Sequence, residues 1–189
     1  MTTLAAIQGN GWAVVGCDSR STDDHGKPMT MITPKIILNN GYLIAGAGAS
    51  RGSNLLQFGW KPPKFKLNED LDKFMTTKFI PSMRKLFIDA GYDMKEDGDA
   101  AAHDSEFIVV ANGVIYPVFS DYSWDRTSTK IYYSGSGGHT ALGAMEILNA
   151  DKARTAEQAA EIIEKAITAA IKWDVYSNGP VVIKKQFAR

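Results

Sequence analysis

One cysteine, Cys17, is all the thiol chemistry that the 189 residues contain. A single thiol cannot form an intrachain bridge, so a disulfide scaffold is excluded. The chain also lacks a charge excess: 21 basic residues meet 21 acidic ones, and no basic field invites nucleic acid. No apolar run approaches the ~18 residues of a membrane span. The N-terminus carries neither a charged n-region nor an apolar h-region, so a secretory signal is not expected. These absences predict a cytoplasmic protein with no membrane or nucleic-acid partner. The three histidines, His25, His103 and His139, show no metal-ligand spacing, and there is no CxxC pair. The Gly-rich run GAGASRG (46–52) lacks the GKS ending of a phosphate-binding loop. Neither a metal nor a cofactor is therefore expected. No repeat recurs at a period of roughly 20–50 residues. The length suits a single domain spanning 1–189 with a substantial core.

What is present is a pattern of paired strands and paired helices. TTLAAIQ (2–8), the turn GNG, and WAVVGCD (12–18) read as a hairpin whose second strand is apolar on both faces. SRSTDDHGKP (19–28) reads as a polar loop. MTMITPKIILNN (29–40) reads as extended, with Pro34 biasing Thr33 away from helix. NNG turns the chain into the strand YLIAGAGAS (42–50). A short helix broken by Gly59 follows, then KPPK as a loop. The 3.6 spacing of Leu71, Phe74, Met75, Phe79, Met83 and Phe87 predicts a helix over 68–91, capped by Asn68, ended by Gly91 and bent or divided at Pro81.

After a polar loop (92–104), SEFIVVA–NG–VIYPVFS (105–120) is a second hairpin. TKIYYSGS (129–136) is a strand that runs through GSGG into a helix at 138–150. The clearest helix spans 153–173, where Thr155 and Gln158 form a capping box ahead of a stripe of Ala and Ile. NGPVVIKKQ (178–186) closes the chain as a strand. Hairpins alternating with helix pairs predict an α+β, four-layer αββα sandwich: two packed antiparallel sheets with helices on both outer faces.

For chemistry, Cys17 lies mid-strand and reads as a small buried hydrophobe. GSGG reads as a tight strand-to-helix turn or an anion cradle. Thr2 is the sharper candidate. Removal of Met1 would give it a free α-amine beside its own hydroxyl, a base and a nucleophile in one residue. In an unstructured chain such an amine titrates at about 7.7–8.0, so part of it is neutral at physiological pH. A cation nearby would steady the charge developing on the hydroxyl oxygen, a carboxylate would hold the cation, and backbone N–H groups would face the oxyanion. Asp18, Lys35 and the glycines of IAGAG (44–48) supply these types.

TTLAAIQGNGWAVVGCDSRS, TPKIILNNGYLIAGAG, YYSGSGGHTALGAME and IKWDVYSNGP, in this order, resemble the β-type subunits of the proteasome family and their bacterial relative, the ATP-dependent two-ring threonine protease, both N-terminal-nucleophile hydrolases. The blocks cover nearly the whole chain. The resemblance implies Thr2 as nucleophile, Asp18 as its acidic partner and Lys35 as the buried lysine. It implies Gly46, or the neighbouring Gly48, as the oxyanion donor, and Ser136 as the serine near the nucleophile. Asp174 and Ser177 would orient the amine. The GSGG block looks more like the bacterial enzyme and the DVYSNG block more like the proteasome, so both placements stand. The loop between Asp18 and Lys35 is slightly longer than the family pattern.

The resemblance further implies a threonine endopeptidase that cleaves unfolded polypeptide inside stacked homo-oligomeric rings, beside an ATP-dependent unfoldase, once Met1 is removed. Ile44 suggests an apolar specificity pocket. Two other readings remain: a catalytically inactive ring or assembly component of the same fold, and an N-terminal-nucleophile amidase acting on a small amide.

Overall fold

The strand WAVVGC (β2, Trp12–Cys17) is buried along its whole length, and the reason sets the architecture. Its side chains alternate between two apolar layers. Trp12 and Val14 face helices, whereas Ala13, Val15 and Cys17 face a second sheet. The computed structural model describes residues 2–23, 25–94 and 101–189. Met1 and residues 95–100 of the expected loop at 92–104 lie outside the described residues.

The first sheet has the order β10-β2-β1-β9 and the second β5-β6-β7-β8. The first comprises β1 (Leu4–Gln8), β2, β9 (Ile131–Ser134) and β10 (Val182–Phe187); the second comprises β5 (Ile36–Asn39), β6 (Tyr42–Gly48), β7 (Ser105–Ala111) and β8 (Val114–Val118). All pairings are antiparallel. Leu4, Ala6, Val15, Leu43, Ile108 and Val110 fill the space between the sheets.

Helices α4 (Gly138–Ile147) and α5 (Ala156–Trp173) cover the first sheet. The α5 stripe of Ala159, Ile163, Ala166, Ile167 and Ala170 is fully buried, and Thr155 caps it by accepting from the Gln158 N–H. Gly16 permits this approach, since a Cβ there would sit 2.3 Å from the Ile163 Cγ2. The second sheet is covered by α1 (Ser50–Phe58), α2 (Leu71–Phe74) and α3 (Ile80–Asp89). The αββα sandwich expected from the sequence is what forms. Hairpin turns follow local chemistry: Asn40-Gly41 and Asn112-Gly113 both take positive φ at each central residue, the geometry that two-residue hairpins need.

Several local expectations are corrected. The loop expected at 19–28 holds a small ladder, β3 (Arg20–Thr22) with β4 (Pro28–Thr30). The stretch expected as extended over 29–40 is divided between that ladder and β5. Asn68 is not the helix cap; Asp70 accepts from the Asp72 and Lys73 N–H groups. Pro81 divides the helix by way of a π-turn, Met75–Phe79, in which Ile80 N–H reaches back to the Met75 carbonyl. Widening the turn just before Pro81 accommodates a residue that has no N–H and crowds the preceding turn.

His103 is 1% exposed, and among the described residues neither ring nitrogen has a hydrogen-bond partner. It packs against Phe87, Phe107 and Tyr122. Burial holds its pKa below the ordinary value, opposed by Asp93, Asp121 and Asp104; Arg84, facing Tyr122, pairs with Asp93. The unfolded chain therefore binds a proton that the folded chain resists. Stability should fall as pH drops below about 6.5, where the free imidazole titrates. Thermal unfolding of His103→Phe should show a flatter loss of Tm between pH 7.5 and 5 than the unsubstituted chain.

Candidate functional site

Thr2 and Thr3 precede β1, and the β1–β2 register continues into them. Leu4 faces Cys17, so Asp18 falls beside Thr3. The Asp18 N–H donates to the Thr3 carbonyl at 3.2 Å, and Thr3 N–H donates to Asp18 Oδ1 at 2.9 Å. Lys35 enters from the other sheet, one residue ahead of β5. Its Nζ donates to Asp18 Oδ1 at 2.7 Å and to Thr2 Oγ1 at 3.0 Å. Asp18 is fully buried and Lys35 is 7% exposed.

A buried ion pair is costly unless its remaining valences are met. Here they are: Asp18 Oδ2 also accepts from the backbone N–H groups of Arg20 and Asn178, at 2.9 and 3.2 Å. The carboxylate thus has four donors and a fixed orientation. The Lys35 ammonium is consequently held against the Thr2 hydroxyl, 3% exposed at the base of a small pocket.

A second chain of polar contacts reaches Thr2 from the helical side. Asp174 caps the end of α5. Its Oδ2 accepts from Ser136 Oγ at 2.8 Å and Ser177 Oγ at 2.6 Å. Ser177 Oγ meets Thr3 Oγ1 at 2.7 Å. Ser136 Oγ lies 3.5 Å from the Thr2 carbonyl oxygen, a long contact, and Gly137 N–H donates to the same oxygen at 3.3 Å. GSGG is therefore a turn packed onto Thr2. Gly135, at φ +83°, could carry no side chain, because a Cβ would lie 2.1 Å from the Thr2 oxygen.

The structure thus brings together Thr2, Asp18, Lys35, Ser136, Asp174 and Ser177. Gly46 is placed differently from its expected use. Its N–H donates to the Lys35 carbonyl at 3.2 Å and is committed to the sheet. Alternate amides along a strand point to opposite edges. The Gly48 amide therefore points to the same edge as Gly46 but beyond Ile36, where β5 begins, and Gly48 lines the pocket with Thr2 and Lys35. Gly48 sits at φ +105°. The IAGAG motif contained both glycines; only the register separates them.

Ile44 is also corrected. It packs in the core under α1 and α3 with Tyr42, Leu56 and Phe79, because its face of β6 looks toward the helices. The pocket wall beside Thr2 is instead polar, with Ser21, Thr33, Ser53, Asn54 and Gln57. Sequence reasoning missed Thr3 beside Thr2, although the TT pair itself was the available signal. Cys17 is buried, and burial pushes its thiol up to about 12, which leaves it protonated and inert at neutral pH. Among the described residues, none of the histidines shares a hydrogen bond with Thr2: His25 sits in the β3–β4 loop and His139 meets the Tyr133 ring edge to face.

A sandwich of this topology has counterparts among solved structures. BPH from Thiobacillus denitrificans, solved in complex with epoxomicin, superposes with a TM-score of 0.78 at 18% identity over 100% of both chains. The same organism's BPH in a second structure gives 0.76 at 18% identity, covering 100% of this chain and 99% of that one. HslV from Trypanosoma brucei gives 0.65 at 17% identity, over 98% and 99%. The chain shares the fold of these BPH and HslV structures. No family model matches the sequence, and no curated protein matches it either. At identities this low the likeness is one of fold, and the chemistry rests on the residues of this chain.

Proposed function

We propose that the chain is a threonine peptidase acting on unfolded polypeptide. The observation that carries it is the Lys35 ammonium, fixed by Asp18 and 3.0 Å from the Thr2 hydroxyl. Removal of Met1 exposes the Thr2 α-amine. Thr2 Oγ1 attacks the scissile carbonyl carbon, and its proton passes to that amine. The new C–O bond leaves an oxyanion, which the Gly48 N–H meets in place of the Gly46 N–H. Lys35 stabilises negative charge on the hydroxyl oxygen throughout. The protonated amine then returns its proton to the leaving nitrogen as the C–N bond breaks, and water hydrolyses the resulting ester. Ser136, Asp174 and Ser177 hold the N-terminal segment and shape the space around the amine.

The pocket beside Thr2 is small, about 30 Å³, with room for no more than a few water-sized groups. Small or polar side chains next to the scissile bond fit it, rather than large apolar ones. Ile32, Ile147, Trp173 and Val175 are strongly exposed, which supports burial against further copies in a ring-shaped assembly. An ATP-dependent unfoldase would then feed it.

The test uses the purified chain, an unfolded protein substrate and neutral fluorogenic peptides, with intact mass read in parallel. A terminus beginning at Thr2, peptide turnover and stoichiometric epoxomicin binding are expected. Quantitative Met1 retention with no turnover overturns the reading in favour of an inactive assembly component. Turnover of small amides alone points to an amidase. Gly48→Ala keeps the N–H but displaces it from the place where it faces the oxyanion. A Cβ there would lie 2.7 Å from the Asp104 carbonyl oxygen, in a backbone conformation that L residues resist. kcat should fall by about 100-fold with KM little changed.

A further inference from the structure

Helix α1 begins without a cap of its own. Ala49 stands at its N-cap position and has no side-chain acceptor to offer the N–H groups of the first turn. That start matters to the site. It comes two residues after Gly48, and Ser50, Ser53, Asn54 and Gln57 of α1 line the Thr2 pocket.

What holds the start comes from β7 and the chain ahead of it. Ser105 faces Gly48 across the β6–β7 ladder. The Ala49 N–H donates to the Asp104 carbonyl at 3.0 Å. Ser105 Oγ donates to the Ala49 carbonyl at 3.3 Å, and the Gly52 N–H reaches the same oxygen at 3.3 Å. Ser105 Oγ meets the Tyr92 hydroxyl at 2.8 Å. With Ser105 donating to Ala49, the proton between the two hydroxyls comes from Tyr92. The Tyr92 oxygen in turn faces the Gly52 N–H. The two hydroxyls thus supply from outside what a capping side chain supplies from within.

Both side chains are buried, and Phe87 meets the Tyr92 ring edge-on at 5.0 Å. Packing alone would be served by Phe and Ala at these positions, without the desolvation cost of two hydroxyls. The fit leaves no slack. A Cβ on Gly48 would lie 2.9 Å from Ser105 Cα, and one on Gly52 would lie 3.0 Å from Tyr92 Cε1. The turn from β6 into α1 is therefore clamped along the edge opposite the free Gly48 amide.

We propose that Tyr92 and Ser105 are positioning residues for peptide hydrolysis: their shared hydrogen bond to the Ala49 carbonyl fixes the direction in which the Gly48 N–H meets the oxyanion. Neither lines the Thr2 pocket, so both act through Gly48. The role rests on the peptidase reading of Thr2.

The test is steady-state kinetics with a neutral fluorogenic peptide on Tyr92→Phe, Ser105→Ala and the double variant, with Tyr122→Phe as control. Tyr92→Phe keeps the ring and removes one oxygen. Tyr122→Phe removes a hydroxyl of the same kind from the same aromatic cluster, one bonded to Asp93 instead. Tyr92→Phe and Ser105→Ala should each lower kcat about tenfold with KM within about twofold, because the Gly48 contact strengthens only as the oxyanion forms. The Ki of a peptide aldehyde, whose adduct with Thr2 Oγ1 places an oxygen at the oxyanion position, should rise by about the same factor. The double variant should be no slower than the slower single variant, since both hydroxyls serve one bond. Tyr122→Phe should lose a comparable amount of Tm and keep its kcat. Unchanged kcat in Tyr92→Phe, an equal loss in Tyr122→Phe, or a loss carried by KM overturns the positioning role and leaves the peptidase reading standing. If Ser105→Ala does not fold, Tyr92→Phe decides alone. No turnover by the unsubstituted chain overturns the peptidase reading and the positioning role with it.

Discussion

Thr2→Ala should abolish peptide hydrolysis, lowering kcat by about 10⁴-fold or more, the scale seen when a nucleophile is deleted. The substitution removes one hydroxyl that hydrogen-bonds Lys35; Thr3, Asp18 and Lys35 keep their mutual contacts. The fold should survive with Tm almost unchanged, so the lost rate reports chemistry. Thr2→Ser supplies the complement. It restores the oxygen and lacks only the methyl group that restricts χ1, and activity should recover to within about tenfold, a barrier difference of about 1.4 kcal/mol. Fluorogenic-peptide kinetics on both variants, with intact mass to verify each N-terminus, decide the matter. Undiminished hydrolysis by Thr2→Ala would assign the reaction to another residue.

Lys35→Met should produce the second-largest effect, and in two observables at once. The Asp18 carboxylate is fully buried, with Lys35 as its cation. Deleting the cation leaves a buried charge served by backbone N–H groups alone, and breaking such a pair costs about 3–5 kcal/mol. For a chain of this size that corresponds to a Tm lower by roughly 10 °C. Activity should fall by about 10³-fold or more, because the charge on Thr2 Oγ1 loses its partner. The contrast with Thr2→Ala is the diagnostic. One substitution removes rate without stability; the other removes both. A Lys35→Met protein with full activity would leave the ion pair a structural role only.

The order in which features became legible follows the range of the interactions behind them. Hairpins at Asn40-Gly41 and Asn112-Gly113 depend on two adjacent residues that tolerate positive φ, and α5 depends on a stripe repeated within eighteen residues. These were readable. The β3–β4 ladder was not: its strands are three residues each, partly or fully exposed, and carry no apolar alternation. His103 sits in a polar stretch, and only distant Phe87, Phe107 and Tyr122 make its surroundings apolar. Asn68 and Asp70 are equally good caps by type; the winner is whichever carboxylate or amide the first helical N–H groups meet.

By itself the sequence determined the hairpins, the long amphipathic helices and the residue types for a self-activating threonine, because each depends on neighbours a few positions away. The tertiary structure alone decided that Thr2, Asp18 and Lys35 meet, and that Gly48 rather than Gly46 has an amide to spare. Those facts are set by how one sheet packs on the other, and a relative shift of a single residue in register would have undone them.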